Sequence, residues 1–209
     1  MTGVWALFHD YTFHIVALGS ALFGTVSGVL GSFAVLRRQS LLGDGISHAA
    51  LPGIVMAFLL TGSRNTEALL LGALITGLLS AFIMLGIVKY SRVKFDSALA
   101  LVMSVFFGLG LVLLTYSQKA PDANRAGLSR FIYGQASAML TRDVVIIAAC
   151  GVGLLLTTLL LWKEFKLFAF DADFAKSLGF KTGRLNALLS LLIVLTIIIG
   201  LQTVGVVLM

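Results

Sequence analysis

Apolar runs of about 20 residues, the length that a helix needs to cross a bilayer, recur along the whole 209-residue chain. The mean hydropathy is +1.04 and only 11% of the residues are charged, whereas soluble domains carry about 25%. The runs are continuous and do not alternate apolar with polar residues, which favours helices over a β-barrel. The sequence therefore predicts an all-α, polytopic transmembrane helix bundle that forms one domain over residues 1–209.

Six segments are predicted to span the membrane, and they cover residues 13–36, 46–61, 67–88, 97–116, 144–162 and 185–207. The second segment is short and contains Pro52 and Gly53. Interrupted spans of this kind tend to line cavities, because their freed backbone groups need partners. The sixth ends in LQTVGVVLM with no charged flank, so we expect that C-terminal helices of the bundle are missing from the chain.

Basic residues are distributed unevenly over the loops. The loops after segments one, three and five hold ten Lys and Arg residues, and the remaining loops hold five. The positive-inside rule then predicts an outside N-terminus and places the three basic loops in the cytoplasm. The net charge of +6 is explained by this topology, and no nucleic-acid-binding pattern accompanies it.

The single cysteine, Cys150, excludes a disulfide framework and a thiolate metal cluster.

Asp44 and His48 are the residues best suited to chemistry, because an ionisable residue in a span costs about 2.5–3.5 kcal/mol and usually has a function. Their spacing of four residues places them on one face of a helix. A carboxylate and an imidazole form half of a site for a divalent transition metal, and two copies of the chain would supply two of each. The spacing leaves two alternatives open: a proton relay, or a helix N-cap at Asp44 with His48 packed beside it.

Two loops stand out. In the inner loop, Asp171 or Asp173 is predicted to cap a short helix through Phe174, Ala175 and Leu178, with Gly179 as its stop. Such a helix docks on a partner or on the membrane surface, or it is a plain connector. In the long outer loop, residues 131–140 are moderately apolar and too short to span, which is typical of an interfacial or re-entrant helix or of a surface loop.

Other polar residues could serve a transport path. Gln202 could line it or form an interhelical hydrogen bond, and Gln135 of the outer loop could also line it. The N-terminal group of His9, Asp10 and His14 could pass metal inward, or it could be an interfacial flank.

Two further patterns limit the interpretation. Gly24 and Gly28 form a small-xxx-small pair that predicts tight helix packing. Walker A, GxSxG and HExxH motifs are absent, so any ATP hydrolysis is expected in a separate subunit.

Residues 37–53 resemble a signature of the permease subunits of manganese, zinc and iron ABC importers. The matching residues combine a basic stop with GD, SH and LPG in one register: Arg37, Arg38, Ser40, Leu41, Gly43, Asp44, Ser47, His48, Leu51, Pro52 and Gly53. The segment AFDADFAKSLGFKTGRLN is similar to that family's cytoplasmic coupling segment, and LQTVGVVLM is similar to the stretch before its final helices. The similarity covers most of the chain from about residue 13 onward.

This resemblance implies the fold of a type II ABC importer permease in the bacterial inner membrane, working as a homodimer by ATP-driven alternating access. A cytoplasmic ATP-binding subunit would dock on residues 163–186, and an extracytoplasmic metal-binding protein would deliver the ion. Asp44 and His48 would coordinate manganese, zinc or iron in transit, with no permanently bound cofactor. A mid-membrane site requires the loop before Asp44 to fold back into the bundle. The alternatives are an ATP-independent secondary metal carrier or channel, and a membrane enzyme that uses the pair as acid and base.

Overall fold

A computed structural model describes residues 11–62, 66–118, 133–134 and 140–206. These residues form α1 (Tyr11–Leu36), α2 (Leu42–Thr61), α3 (Thr66–Tyr90), α4 (Phe95–Gln118), α5 (Thr141–Leu160), α6 (Trp162–Phe170), α7 (Ala172–Ser177) and α8 (Thr182–Gly200). Six of these helices, α1 to α5 and α8, are long and apolar enough to cross a membrane. The described part of the chain contains no strand, and the predicted all-α bundle of six spans is confirmed.

Polar contacts identify the two ends of the bundle. The hydroxyl groups of Tyr11 and Thr141 lie 2.6 Å apart, and Arg142 forms an ion pair with Glu67. The starts of α1, α3 and α5 therefore meet at one end. The end of α1 meets the start of α8 at the other end. Successive long helices thus alternate in direction, as the spans of a membrane protein do.

The α2 helix is the central element, since 61% of its most apolar window is buried against 17% for α1. It crosses α3 backbone to backbone: a Cβ atom added to Gly53 would lie 2.1 Å from the carbonyl oxygen of Gly72. It also packs on α4 through a side chain, since a Cβ on Gly110 would lie 2.9 Å from Leu51 Cδ2. The three helices form one closely packed unit, the α2–α4 block.

Two predicted span boundaries are wrong. The second span begins at Leu42 rather than at residue 46, because the Gly43–Gly45 segment forms a regular first turn despite its low hydropathy. The sixth span ends at Gly200 rather than at residue 207. Residues 201–206 form buried turns, and Gly205 adopts φ 83°, which a helix does not allow.

The expectation of tight packing at Gly24 and Gly28 is wrong within the described chain. A Cβ atom added at either position would meet nothing within 4 Å. The α1 helix instead buries larger side chains, Val26, Leu30 and Phe33. Close backbone approach occurs at Gly53 and Gly72, where no such motif had been singled out.

The turn between α1 and α2 has a defined hydrogen-bond pattern. The N–H of Gln39 donates to the carbonyl of Ala34 at 2.8 Å, and the N–H of Arg38 donates to that of Val35 at 2.9 Å. This is a Schellman motif, and its left-handed position is held by Arg38 with φ 54°. The motif ends α1 abruptly and turns the chain back toward α2.

Candidate metal site

Asp44 and His48 lie on one face of α2, as their spacing predicts. The Asp44 Oδ1 atom is 3.1 Å from His48 Nε2, and the two side chains are 55% and 21% exposed. The capping alternative is wrong, because the residue at the N-cap position is Leu41 and Asp44 stands within the first turn. The Asp44 carboxylate therefore does not cap the N-terminus of α2 and instead faces the imidazole of His48.

The surroundings of His48 hold its ring in place. The ring packs edge-on against Phe107 of α4, with 4.9 Å between the centroids. Nε2 faces Asp44, whereas Nδ1 is buried and has no hydrogen-bond partner in the described part of the chain. A cation between Oδ1 and Nε2 would bind a carboxylate oxygen and the lone pair of a neutral imidazole nitrogen.

The pair lies near the middle of the bundle along the helix axes, although the Asp44 side chain is more than half exposed. The side chain of Ile46, two residues after Asp44, reaches within 3.6 Å of the position of a Cβ on Gly77, close to the midpoint of α3. Gly43 lines a groove of about 190 Å³ together with Gly31 of α1 and Ile193 of α8. Ile193 is 11 residues beyond the start of α8, or about 16 Å along a helix. The chain before Asp44 thus folds back into the bundle.

Two ligands do not complete a metal site. Structural zinc sites have four protein ligands, and catalytic sites have three plus a water. The described residues contain no group of three or more His, Cys, Asp or Glu side chains that could hold an ion. Within the described residues, Asp44 and His48 could therefore supply at most half of a four-ligand site.

Of the remaining polar candidates, the described residue His14 does not join this pair. His14 lies near the start of α1, at the opposite end of that helix from the turn that leads to Asp44. His9, Asp10 and Gln135 lie outside the described residues, as does most of the 131–140 piece.

Gln202 is buried in the turn after α8, where 4% of its surface is exposed. Its Nε2 atom has no hydrogen-bond partner in the described part of the chain. The alternative of an interhelical hydrogen bond therefore receives no support from this atom, and a path-lining role stays a prediction. The turn also packs on the outer loop, because a Cβ on Gly205 would lie 2.2 Å from Gly134 N.

The short helix predicted in the inner loop is present as α7. Asp171 Oδ1 accepts hydrogen bonds from the N–H groups of Phe174 at 2.8 Å and Asp173 at 3.1 Å. At the other end Gly179, with φ 86°, occupies the left-handed position of a second Schellman motif. The N–H of Phe180 there donates to the carbonyl of Ala175 at 3.1 Å. Cap and stop are those expected from the sequence.

The side chains of this inner segment divide into an anchor and an exposed surface. Ala175 is fully buried, so it holds α7 on the protein and cannot contact a partner directly. Phe170, Phe174 and Leu178 are 70%, 52% and 56% exposed, and we refer to these three side chains as the apolar ridge. Phe170 had not been singled out from the sequence. The helix α6 had not been predicted either, although the buried pair Phe165 and Phe168 has the spacing of an amphipathic helix.

Comparison with known proteins agrees with this architecture. Residues 9–209 match the ABC 3 transport family. The chain belongs to that family. The resemblance to metal-ion ABC permeases that was drawn from residues 37–53 is therefore confirmed, and the chain is a multi-pass membrane permease.

Several members of the family are close relatives of this permease. It is 50% identical over its whole length to the zinc transport system membrane protein TroC of Treponema pallidum, of which it spans 70%. Over 93% of its length it is 49% identical to the manganese transport system membrane protein MntC of Bacillus subtilis, of which it spans 45%. Its fold matches the structure of PsaBC from Streptococcus pneumoniae in complex with Fab, with a TM-score of 0.79 at 29% identity over 98% of this chain and 70% of that one.

Proposed function

We propose that this permease is the membrane-spanning subunit of an ABC importer for divalent transition-metal ions, and that Asp44 and His48 bind the ion in transit. The observation that carries the proposal is the 3.1 Å pairing of carboxylate and imidazole inside the bundle. Relatives named as zinc and manganese transport proteins support those two ions as cargo. Iron(II) is compatible with the same ligand types.

The proposed partners are inferred from the incomplete ligand set and from the exposed apolar ridge. A second copy would supply another Asp44 and His48 and complete four ligands. The apolar ridge is proposed to dock on a cytoplasmic ATP-binding subunit, since exposed apolar patches rimmed by polar residues mark such contacts. An extracytoplasmic metal-binding protein would deliver the ion to the opposite end. The assembly would lie in the bacterial inner membrane with the N-terminus outside, in agreement with the distribution of basic residues.

Transport would proceed by alternating access. ATP-driven closure of the partner subunits would push on α6 and α7 and would switch the cavity around Asp44 from outward to inward access. Gln202, buried at the end of α8, is a candidate for lining the path. Family membership supports this ATP-dependent role over an ATP-independent carrier or channel.

The test is ATP-dependent uptake of Mn²⁺ and Zn²⁺ by the full-length permease with its ATP-binding subunit and delivery protein. We expect Asp44→Ala and His48→Ala to abolish uptake while the complex still assembles. Asp96→Ala is the matched control, because Asp96 is also an exposed acidic residue in the first turn of a span but has no histidine partner in the described part of the chain. Normal uptake by both site variants would contradict the proposal and direct attention to Gln202 and Gln135.

A further inference from the structure

Arg37 is half-buried at a junction of three helices. It directly follows α1, and Nη1 donates to the carbonyl oxygen of Phe168 in α6 at 3.4 Å. Nη2 donates to Asn186 Oδ1 in the first turns of α8 at 3.3 Å. The guanidinium also stacks on the ring of Phe168, with Cζ 3.9 Å from the centroid. One side chain thus connects the end of α1 with both elements that flank α7.

The charge of Arg37 has no counter-ion in the described part of the chain. Its contacts are a carbonyl, an amide oxygen and an aromatic face, and its Nε atom is buried without a hydrogen-bond partner. Desolvation lowers the pKa of the guanidinium from its ordinary value. Partly burying an unpaired charge has a cost, whereas the neighbouring Arg38 is exposed and supplies a positive charge at the same end without that cost. Orientation in the membrane therefore does not require Arg37 to be drawn into the junction.

Aromatic packing makes the junction stiff. The ring of Phe33 in α1 lies 5.3 Å from that of Trp162 and 6.0 Å from that of Phe165. Phe165 is fully buried and Phe168 nearly so. The inner end of α1 thus packs directly on α6 through aromatic rings, and Arg37 adds a polar contact at the edge of this packing.

Arg37 lies between the α6–α7 segment, which carries the apolar ridge, and the turn before α2, which carries Asp44 and His48. Toward the C-terminus of α6, the chain passes through Asp171 into α7 and the apolar ridge. Toward α2, the turn of residues 37–41 leads directly into the helix that carries Asp44 and His48. Because this turn is closed by its Schellman hydrogen bonds, a displacement of Arg37 is passed on to the start of α2.

We infer that Arg37 is a positioning residue that transmits movement of α6 and α7 to the turn before α2, and so couples the apolar ridge to the Asp44–His48 pair. The inference rests on the proposed function, in which the ridge receives the motion of an ATP-binding subunit. A planar guanidinium reaches two acceptors and a ring at once, whereas an ammonium group does not match this geometry.

The experiment measures ATP hydrolysis and Mn²⁺ uptake in the same proteoliposomes, with the full-length permease and its ATP-binding subunit. Arg37→Gln should leave hydrolysis within about twofold of wild type and lower uptake about tenfold, the scale of a lost coupling contact. Arg37→Lys should lose most of the uptake as well. Asn186→Ala should also reduce uptake, and adding it to Arg37→Gln should cause no further loss. Arg38→Gln is the matched control and should change neither quantity.

Two results would overturn the inference: full uptake by Arg37→Gln, or a proportional loss of hydrolysis and uptake, which would indicate a purely structural role. A wild-type complex without ATP-dependent uptake would count against the proposed function instead.

The link between α7 and the turn before α2 is then tested by spin labels at Ser40 and Lys176 in the full-length permease. Arg37→Gln should broaden the distance distribution between the labels, and Arg38→Gln should not. Equal distributions in both variants would refute the link.

Discussion

At the scale of single residues, two positions show how the chain ends its helices. Arg38 and Gly179 both adopt the left-handed conformation, with φ 54° and 86°, and both complete a Schellman motif. A side chain in that conformation costs roughly 1–2 kcal/mol, a cost from which glycine is free. The turn that leads to the metal pair is therefore held under mild strain, whereas the stop of α7 is not.

This difference predicts opposite effects of exchange at the two turns. Arg38→Gly should raise the free energy of unfolding of the full-length permease by up to about 1 kcal/mol, and Gly179→Ala should lower it by about 1 kcal/mol. Thermal unfolding in detergent measures both. A Cβ at Gly179 would meet nothing within 4 Å, so any loss is conformational. Gly183→Ala, equally open but at ordinary helical φ, is the control and should not destabilise.

Some predictions about single residues were correct, and others were wrong. The four-residue spacing correctly predicted that Asp44 and His48 share a face. The N-cap alternative was wrong because the helix starts at Leu42, and the identity of the cap depends on backbone geometry that spacing does not reveal. Gly179 as the stop was predicted correctly, and the cap was one of the two predicted candidates, Asp171 rather than Asp173, since both features act through local backbone hydrogen bonds.

At the scale of helices, the closest contact is the crossing of α2 and α3. A Cβ on Gly53 would lie 2.1 Å from the Gly72 carbonyl oxygen, so Gly53→Ala must push the two helices apart. Overpacking of this kind typically costs about 1–3 kcal/mol, and the variant should unfold at a lower temperature than wild type. Gly28→Ala, which meets nothing within 4 Å in this chain, should leave the melting temperature unchanged. Equal stability of the two variants would contradict the assigned crossing.

Hydropathy located all six spans but not where the helices break. It missed the first four residues of α2, because glycine and aspartate lower the average without preventing a helical turn. It extended the sixth span past Gly200, because the residues beyond it are apolar although they form turns. The glycines at which helices approach closely were also predicted wrongly. The chain contains many glycines, and only the tertiary structure shows that the close approach occurs at Gly53 and Gly72 and not at Gly24 and Gly28.

At the scale of the whole molecule, the orientation in the membrane is open to a direct test. In a background with Cys150 replaced by alanine, a single cysteine is placed at Leu140 or at Ser91. Both positions are exposed and lie at opposite ends of the bundle. The basic-residue count predicts that an impermeant maleimide labels the Leu140→Cys variant in intact spheroplasts. It should label the Ser91→Cys variant only after permeabilisation. The reverse pattern would place the N-terminus inside.

The whole-molecule organisation was only partly predictable. The composition and the signature of residues 37–53 led to the correct fold class and family. The depth of Asp44 could not be derived, because it depends on how far the turn of residues 37–41 folds back into the bundle. The set of proposed ligands could not be completed either, because the described part of the chain brings only Asp44 and His48 together.

The close contacts of the α2–α4 block have a consequence for how cargo would leave. Asp44, His48 and the Phe107 ring that supports the imidazole all belong to this block, and no layer of side chains separates α2 from α3 where Gly53 meets Gly72. The two side chains of one chain therefore move together with the block, since both are carried by α2. An ion held there would leave when water reaches it from the other side and hydrates it, while these two side chains stay together on α2.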